Sequence, residues 1–225
     1  MRPLRVPIAR EGQPFIFGAA SAAVLLSAGW LWADGKALAV LASLASLLAL
    51  AFAFFFRDPE RRGPRGPDLV IAPADGRVVD VSGHDERTFL AGRALRISIF
   101  LSLLDVHVNR YPVSGRVEHR AYDRGGFRAA WRASAALHNE RASTGIRAKA
   151  GPVLIRQVAG LVARRIVTYA REGQSVRQGD RMGLIRFGSR LDVYLPEDAA
   201  PQVRIGERAV GGVTVIARLS PGDRG

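Results

Sequence analysis

The chain has 225 residues, with 33 Lys and Arg against 20 Asp and Glu, a formal net charge of +13 and no cysteine. The length allows one domain or two small ones with a real core. The lack of cysteine excludes a disulfide framework, thiolate metal sites and a cysteine nucleophile. The charge favours anionic partners, and phospholipid headgroups, acidic metabolites and nucleic acid all qualify. No basic run is interleaved with aromatics, so nothing speaks for nucleic acid. Nearly all the cations are arginine; the two lysines are Lys36 and Lys149. An arginine-rich background explains such an excess as readily as a specific partner does.

After a basic tail of residues 1–14, two uncharged apolar segments follow. They are FIFGAASAAVLLSAGWLW at 15–32 and ALAVLASLASLLALAFAFFF at 37–56. Each approaches the length that crosses a bilayer core. Only Ala33-Asp34-Gly35-Lys36 separates them, so a helical hairpin is expected over 15–56, either spanning the bilayer or dipping into it. Trp30 and Trp32 fall at its tip, where interfacial aromatics belong. Small residues (Gly18, Ser21, Ala22, Ala42, Ser43, Ala45, Ser46) are expected to let the helices approach. No small-residue cleavage site separates the segments, which argues against a signal peptide. Arg2, Arg5 and Arg10 precede the hairpin, and Arg57, Arg61, Arg62 and Arg65 follow it. The positive-inside bias therefore puts residues 57–225 on the cytoplasmic side of the cell membrane.

From residue 68 the pattern changes to short Val- and Ile-rich runs punctuated by Gly, Pro and Asp. These read as strands and tight turns, and no long amphipathic helix is evident. The expected fold is mainly β, a compact sandwich or barrel-sandwich preceded by the hairpin. Pro73-Ala-Asp-Gly76-Arg-Val is echoed by Pro112-Val-Ser-Gly115-Arg-Val, and residues 171–183 space glycines between strands. Lipoyl and biotinyl carrier domains use similar hairpins. Their chemistry needs a lysine at a hairpin tip, and neither Lys36 nor Lys149 is placed for it.

Two features carry chemistry: Gly188-Ser189, just before a strand, and Asp105-Val-His107-Val-Asn109-Arg110. Taken singly, each has an ordinary explanation. Gly-Ser is a common turn, a lone histidine is more often structural, and Asp75 is a good turn residue in its own right. His84, His119 and His138 have no supporting pattern, and the histidines are too dispersed to argue for a metal.

Taken together and in order, these blocks are similar to the phosphatidylserine decarboxylase family in its short bacterial form. The shared features are the hairpin, Phe56-Arg-Asp-Pro-Glu-Arg61, Ala72-Pro-Ala-Asp-Gly76, the Asp105–Arg110 run, Asn139-Glu140-Arg141 and Phe187-Gly188-Ser189. The resemblance implies a zymogen that cuts itself between Gly188 and Ser189, into α and β chains of one precursor. Ser189 would become a covalent pyruvoyl cofactor. A pyridoxal enzyme would instead hold its cofactor on a lysine, and the lysines here are poorly placed. The resemblance further implies that His107 is the base and later the proton donor, and that Asp75 is its orienting carboxylate. Phosphatidylserine would form a Schiff base with the pyruvoyl group, lose CO2 and leave as phosphatidylethanolamine. Longer relatives carry a second histidine three residues on, where this chain has Arg110. Arg110 and Arg141 are candidates to bind the lipid phosphate.

Two other functions fit the same residues. One is a non-enzymatic membrane adaptor with a lipoyl-like β domain; the other is a pyruvoyl decarboxylase for another serine-headed lipid. Anionic membrane lipids are expected partners, a homo-oligomer is compatible with the sequence, and no metal is expected.

Overall fold

The computed structural model describes residues 8–33, 35–126, 139–160, 165–186 and 189–220. The chain forms two compact units, residues 1–60 and 61–225.

In the first unit a 3-10 turn, Arg10–Gly12, leads into α1 (Gln13–Ala33), and α2 (Lys36–Phe55) returns alongside it. Their 21 and 20 residues each make a rod of roughly 30 Å, the thickness of a bilayer core. Both helices are long and apolar enough to cross a membrane. Large apolar side chains such as Leu25, Leu31, Leu47 and Leu50 point outward, which water would not tolerate over such an area. The two serines inside α2 are consistent with this. Ser43 and Ser46 return their hydroxyls to the carbonyls of Ala39 and Ala42, each at 2.9 Å. Small residues do line the contact, but Ala19, Ala23 and Ala42 are the buried ones. Gly18, Ser21 and Ala22 face outward, because the packed stripe lies one residue round the helix from the expected one. Asp34, in the turn, lies outside the described residues, as do Arg2 and Arg5.

The second unit is β throughout its described residues. Its strands run β1 (Leu69–Ile71), β2 (Gly76–Glu86), β3 (Gly92–Leu101), β4 (Val108–Arg110), β5 (Gly115–Asp123), β6 (Arg141–Ala148) and β7 (Gly151–Ala159). They continue with β8 (Arg165–Thr168), β9 (Ser175–Val176), β10 (Arg181–Arg186), β11 (Ser189–Pro196), β12 (Ala200–Pro201), β13 (Arg208–Ala209) and β14 (Val215–Arg218). An eight-stranded sheet has the order β13-β2-β3-β11-β7-β6-β5-β9, with three-stranded sheets β4-β10-β8 and β1-β14-β12 beside it. Period-two alternation decides which face is apolar. Leu191, Val193 and Leu195 of β11 join Ile97, Ile99, Val153 and Ile155 in the main core. The intervening Arg190, Asp192 and Tyr194 are buried on the opposite face. Arg190 and Asp192 satisfy each other there through two hydrogen bonds of 2.6 and 3.1 Å.

The Pro-x-x-Gly-Arg-Val echo is the trace of an internal two-fold repeat. A Cβ on Gly76 would stand 2.2 Å from the carbonyl oxygen of Phe100, and one on Gly115 would stand 2.3 Å from that of Arg147. Only glycine permits either approach. Both strands then shift register just after the second residue beyond the glycine, at Val78 and Val117. Val78 exchanges backbone bonds with Gly206 and Glu207, and Val117 does so with Gly173 and Gln174. Gly206 and Gly173 have φ of +93° and +81°, a conformation that side-chain-bearing residues avoid. The matching residues fall in Arg204-Ile-Gly-Glu-Arg-Ala-Val-Gly-Gly212 and Arg171-Glu-Gly-Gln-Ser-Val-Arg-Gln-Gly179. The relation between these two segments is a second echo that sequence reading alone had not paired.

Candidate active site

Ser189 opens β11, the strand at the heart of the large sheet. It pairs with Leu101 of β3 on one side and Ala159 of β7 on the other. It is fully buried, and its Oγ has no hydrogen-bond partner among the described residues. A buried hydroxyl without a partner costs about 1–3 kcal/mol, so one at a strand start is a candidate for chemistry rather than packing. Gly188 and Phe187, the other side of the expected cleavage point, lie outside the described residues.

His107 belongs with the smaller β4-β10-β8 sheet. It immediately precedes β4, which runs antiparallel to β10 with Val108 opposite Leu184 and Asn109 opposite Gly183. Continued by one residue, that register sets His107 beside the end of β10 that leads through 187–188 into Ser189. The imidazole is buried. Its Nδ1 lies 2.9 Å from the carbonyl oxygen of Asp105. A carbonyl only accepts, so Nδ1 carries the proton and Nε2 is the basic nitrogen.

Asp105 is itself anchored. Its carboxylate accepts from the amide and hydroxyl of Ser102, at 2.8 and 2.7 Å, and from Arg208 at 2.8 Å. Burial pushes this carboxyl up, but the Ser102 bonds and Arg208 outweigh it, and the net effect holds Asp105 below the ordinary aspartate range. The turn that presents the carbonyl to His107 is therefore fixed by a stable carboxylate.

Asp75 sits just before β2, and Pro73 in the same turn accepts the amide of Arg110 at 2.8 Å. The turn thus abuts the end of β4. The hydrogen bonds of the Asp75 carboxylate run to Arg61 at 2.8 Å and to the amide of Gly211 at 2.7 Å. The internal repeat explains the second bond. In the other half Ser114 occupies the equivalent place, and its Oγ accepts from the amide of Gln178 at 2.8 Å. Asp75 therefore ties a turn as Ser114 does, and additionally brings a carboxylate.

Asn139 and Glu140 dock on the same place. The Asn139 amide donates to the carbonyl of Ala159 at 2.7 Å, and the amide of Ala159 donates to the carbonyl of Glu140 at 2.9 Å. Ala159 is the cross-strand neighbour of Ser189. Arg141 pairs with Asp123 at 2.8 Å. It stands opposite Val158, on the sheet face away from the Ser189 side chain. Arg110 donates to the carbonyl of Gly179 at 3.1 Å and lies opposite Arg181, at the far end of β10. His84 packs at a tilt against Tyr194 and His119 stacks on Phe89, as packing residues would; His138 lies outside the described residues.

Sequence reading passed over Gln157. Its Nε2 donates to Asn109 Oδ1 at 2.8 Å, and Asn109 Nδ2 donates to the His107 carbonyl at 3.3 Å. The alternation in Val-His-Val-Asn was the available signal, since it sets His107 and Asn109 on one side of the strand.

A sequence profile for phosphatidylserine decarboxylase matches residues 48–217. The chain belongs to the phosphatidylserine decarboxylase family. Similar proteins, each named a phosphatidylserine decarboxylase proenzyme, cover nearly its whole length. That of Symbiobacterium thermophilum is 51% identical over 97% of this chain and 99% of its own. That of Geobacter metallireducens is 45% identical over 97% and 100%, and that of Desulfotalea psychrophila is 41% identical over 96% and 98%. A proenzyme is cut before it acts.

Proposed function

We propose that this chain is a self-processing decarboxylase that converts phosphatidylserine to phosphatidylethanolamine and CO2. The observation that carries the reading is the buried Ser189 Oγ at the start of β11, which has no hydrogen-bond partner among the described residues.

His107 Nε2 takes the proton of Ser189 as Oγ attacks the carbonyl carbon of residue 188, and the peptide becomes an ester. Elimination of the Ser189 Cα proton expels residue 188 as a carboxylate, carrying Oγ with it. The dehydroalanine left at 189 takes up one water and releases ammonia, which gives the pyruvoyl group. The products are chains of residues 1–188 and 189–225. The Asp105 carbonyl sets the imidazole tautomer, and Asp75 contributes negative charge that favours the imidazolium.

The residues fit such a group. Ser189 is its own source, and Lys149 lies exposed in the β6–β7 turn, so no lysine is placed to hold an alternative carbonyl cofactor. Once formed, the pyruvoyl ketone supplies Schiff-base chemistry and an electron sink for the departing CO2. His107 then returns a proton to the product. Of the two phosphate candidates, Arg141 stands on the sheet face away from the Ser189 side chain, which leaves Arg110, exchanging the Gly179 carbonyl for phosphate oxygens. The apolar hairpin keeps the β unit at the cytoplasmic face of the membrane, where the substrate resides.

Purified full-length chain in detergent micelles is expected to release CO2 from phosphatidylserine and to leave free serine untouched. Turnover of another serine-headed lipid in preference would redirect the substrate assignment, and no turnover of any would leave the adaptor reading.

A further inference from the structure

The amide chain beside His107 has a direction that chemistry fixes. The His107 carbonyl can only accept, so Asn109 must present Nδ2 to it and Oδ1 to its other neighbour. Gln157 must therefore present Nε2 to Asn109, and its Oε1 is left over. That oxygen is buried with no hydrogen-bond partner among the described residues, in a residue with no exposed surface. An acceptor stranded in this way is costly and calls for a donor.

The sheet register says where the donor would come from. Gln157 stands opposite Leu191, and Ala159 stands opposite Ser189. Gln157 and Ser189 are therefore diagonal neighbours on one face of adjacent antiparallel strands, a spacing of roughly 7–8 Å or somewhat less that a long side chain covers. Self-cleavage removes Oγ with residue 188, so the chain's own hydroxyl is no longer present in the finished site. What arrives instead is a primary amine, which must lie against the carbon that was Ser189 Cα. An amine is a donor, and Gln157 Oε1 is the buried acceptor within reach.

We propose that Gln157 is the residue that receives the substrate's amino N–H and orients it toward the carbonyl derived from Ser189, with Asn109 holding the amide in that sense. This rests on the reading of the chain as a self-processing, amine-condensing decarboxylase. The role predicts a division between two steps. Self-cleavage involves no substrate amine and does not need Oε1, whereas capture of the amine does.

Two measurements on the full-length protein in detergent test it. The first is the fraction cleaved, read on denaturing gels. The second is reductive trapping of phosphatidylethanolamine by cyanoborohydride, read as the mass of the 189–225 fragment. Gln157→Met removes the acceptor and keeps the side chain's length. It is expected to cleave to the wild-type extent, with the trapping rate down about tenfold or more. Gln157→Glu, kept protonated by its burial with the O–H donating to Asn109 Oδ1, retains a carbonyl acceptor at the same place and is expected to trap within about threefold of wild type. If Gln157→Met traps as fast as wild type, or if cleavage and trapping fall by the same factor, the proposal is overturned and the residue only braces β4. If Gln157→Met does not fold, loss of trapping in a cleaved Gln157→Glu overturns it equally. Wild-type protein that forms no adduct would instead sink the decarboxylase reading itself.

Discussion

Replacing His107 with glutamine is expected to slow self-cleavage by about two to four orders of magnitude, the usual worth of a positioned general base. Glutamine fills much of the imidazole's space and can still donate to the Asp105 carbonyl, so the fold should persist. What it lacks is a nitrogen able to take the Ser189 proton. Nδ1 donates to the Asp105 carbonyl at 2.9 Å, so Nε2 is the nitrogen proposed as the base. Asp105 is kept ionised by Ser102 and Arg208, so that arrangement persists across the neutral range. A time course of the 189–225 fragment on denaturing gels measures the effect. A variant that cleaves at the wild-type rate would remove His107 from the mechanism.

Asp75 is a sharper case, because the structure supplies its own control. The carboxylate accepts from Gly211 as the Ser114 hydroxyl accepts from Gln178. Asp75→Ser therefore transplants the other half's solution and should keep the turn tied. Asp75→Ala should not, and leaving a buried amide unpaired costs about 1–3 kcal/mol. Thermal unfolding is expected to leave Asp75→Ser near wild type and to lower Asp75→Ala by several degrees. Self-cleavage is expected to fall about tenfold or more in both, since both remove the carboxylate proposed to favour the imidazolium. If Asp75→Ser matches wild type in cleavage as well as stability, Asp75 is a turn residue and nothing more.

Much of this was legible in the sequence. The alternation of Val and Ile with turn residues announced a β unit, and two uncharged runs of helix length announced the hairpin. The Pro-x-x-Gly-Arg-Val echo was visible because both copies need glycine where a strand meets a carbonyl. Its partner echo was not paired, because Gly206 and Gly173 sit in segments that share little besides glycine spacing. Positions in the site that depend on register were also hidden. Gln157 lies in an ordinary Val-rich strand, and only the pairing of β7 with β11 brings it diagonal to Ser189. For Arg110 and Arg141 the sequence showed cations near the motifs, whereas strand alternation and the pairs with Gly179 and Asp123 decide where those cations point.

The measurement that tests the account most directly is the intact mass of the wild-type chain after purification. The expected result is two species, residues 1–188 and 189–225. The smaller should carry a pyruvoyl group in place of serine, its N-terminus closed to sequential degradation, and both should be missing in Ser189→Ala. Wild-type protein that stays uncut while decarboxylating lipid would contradict the account, as would a fragment that begins with an unmodified Ser189.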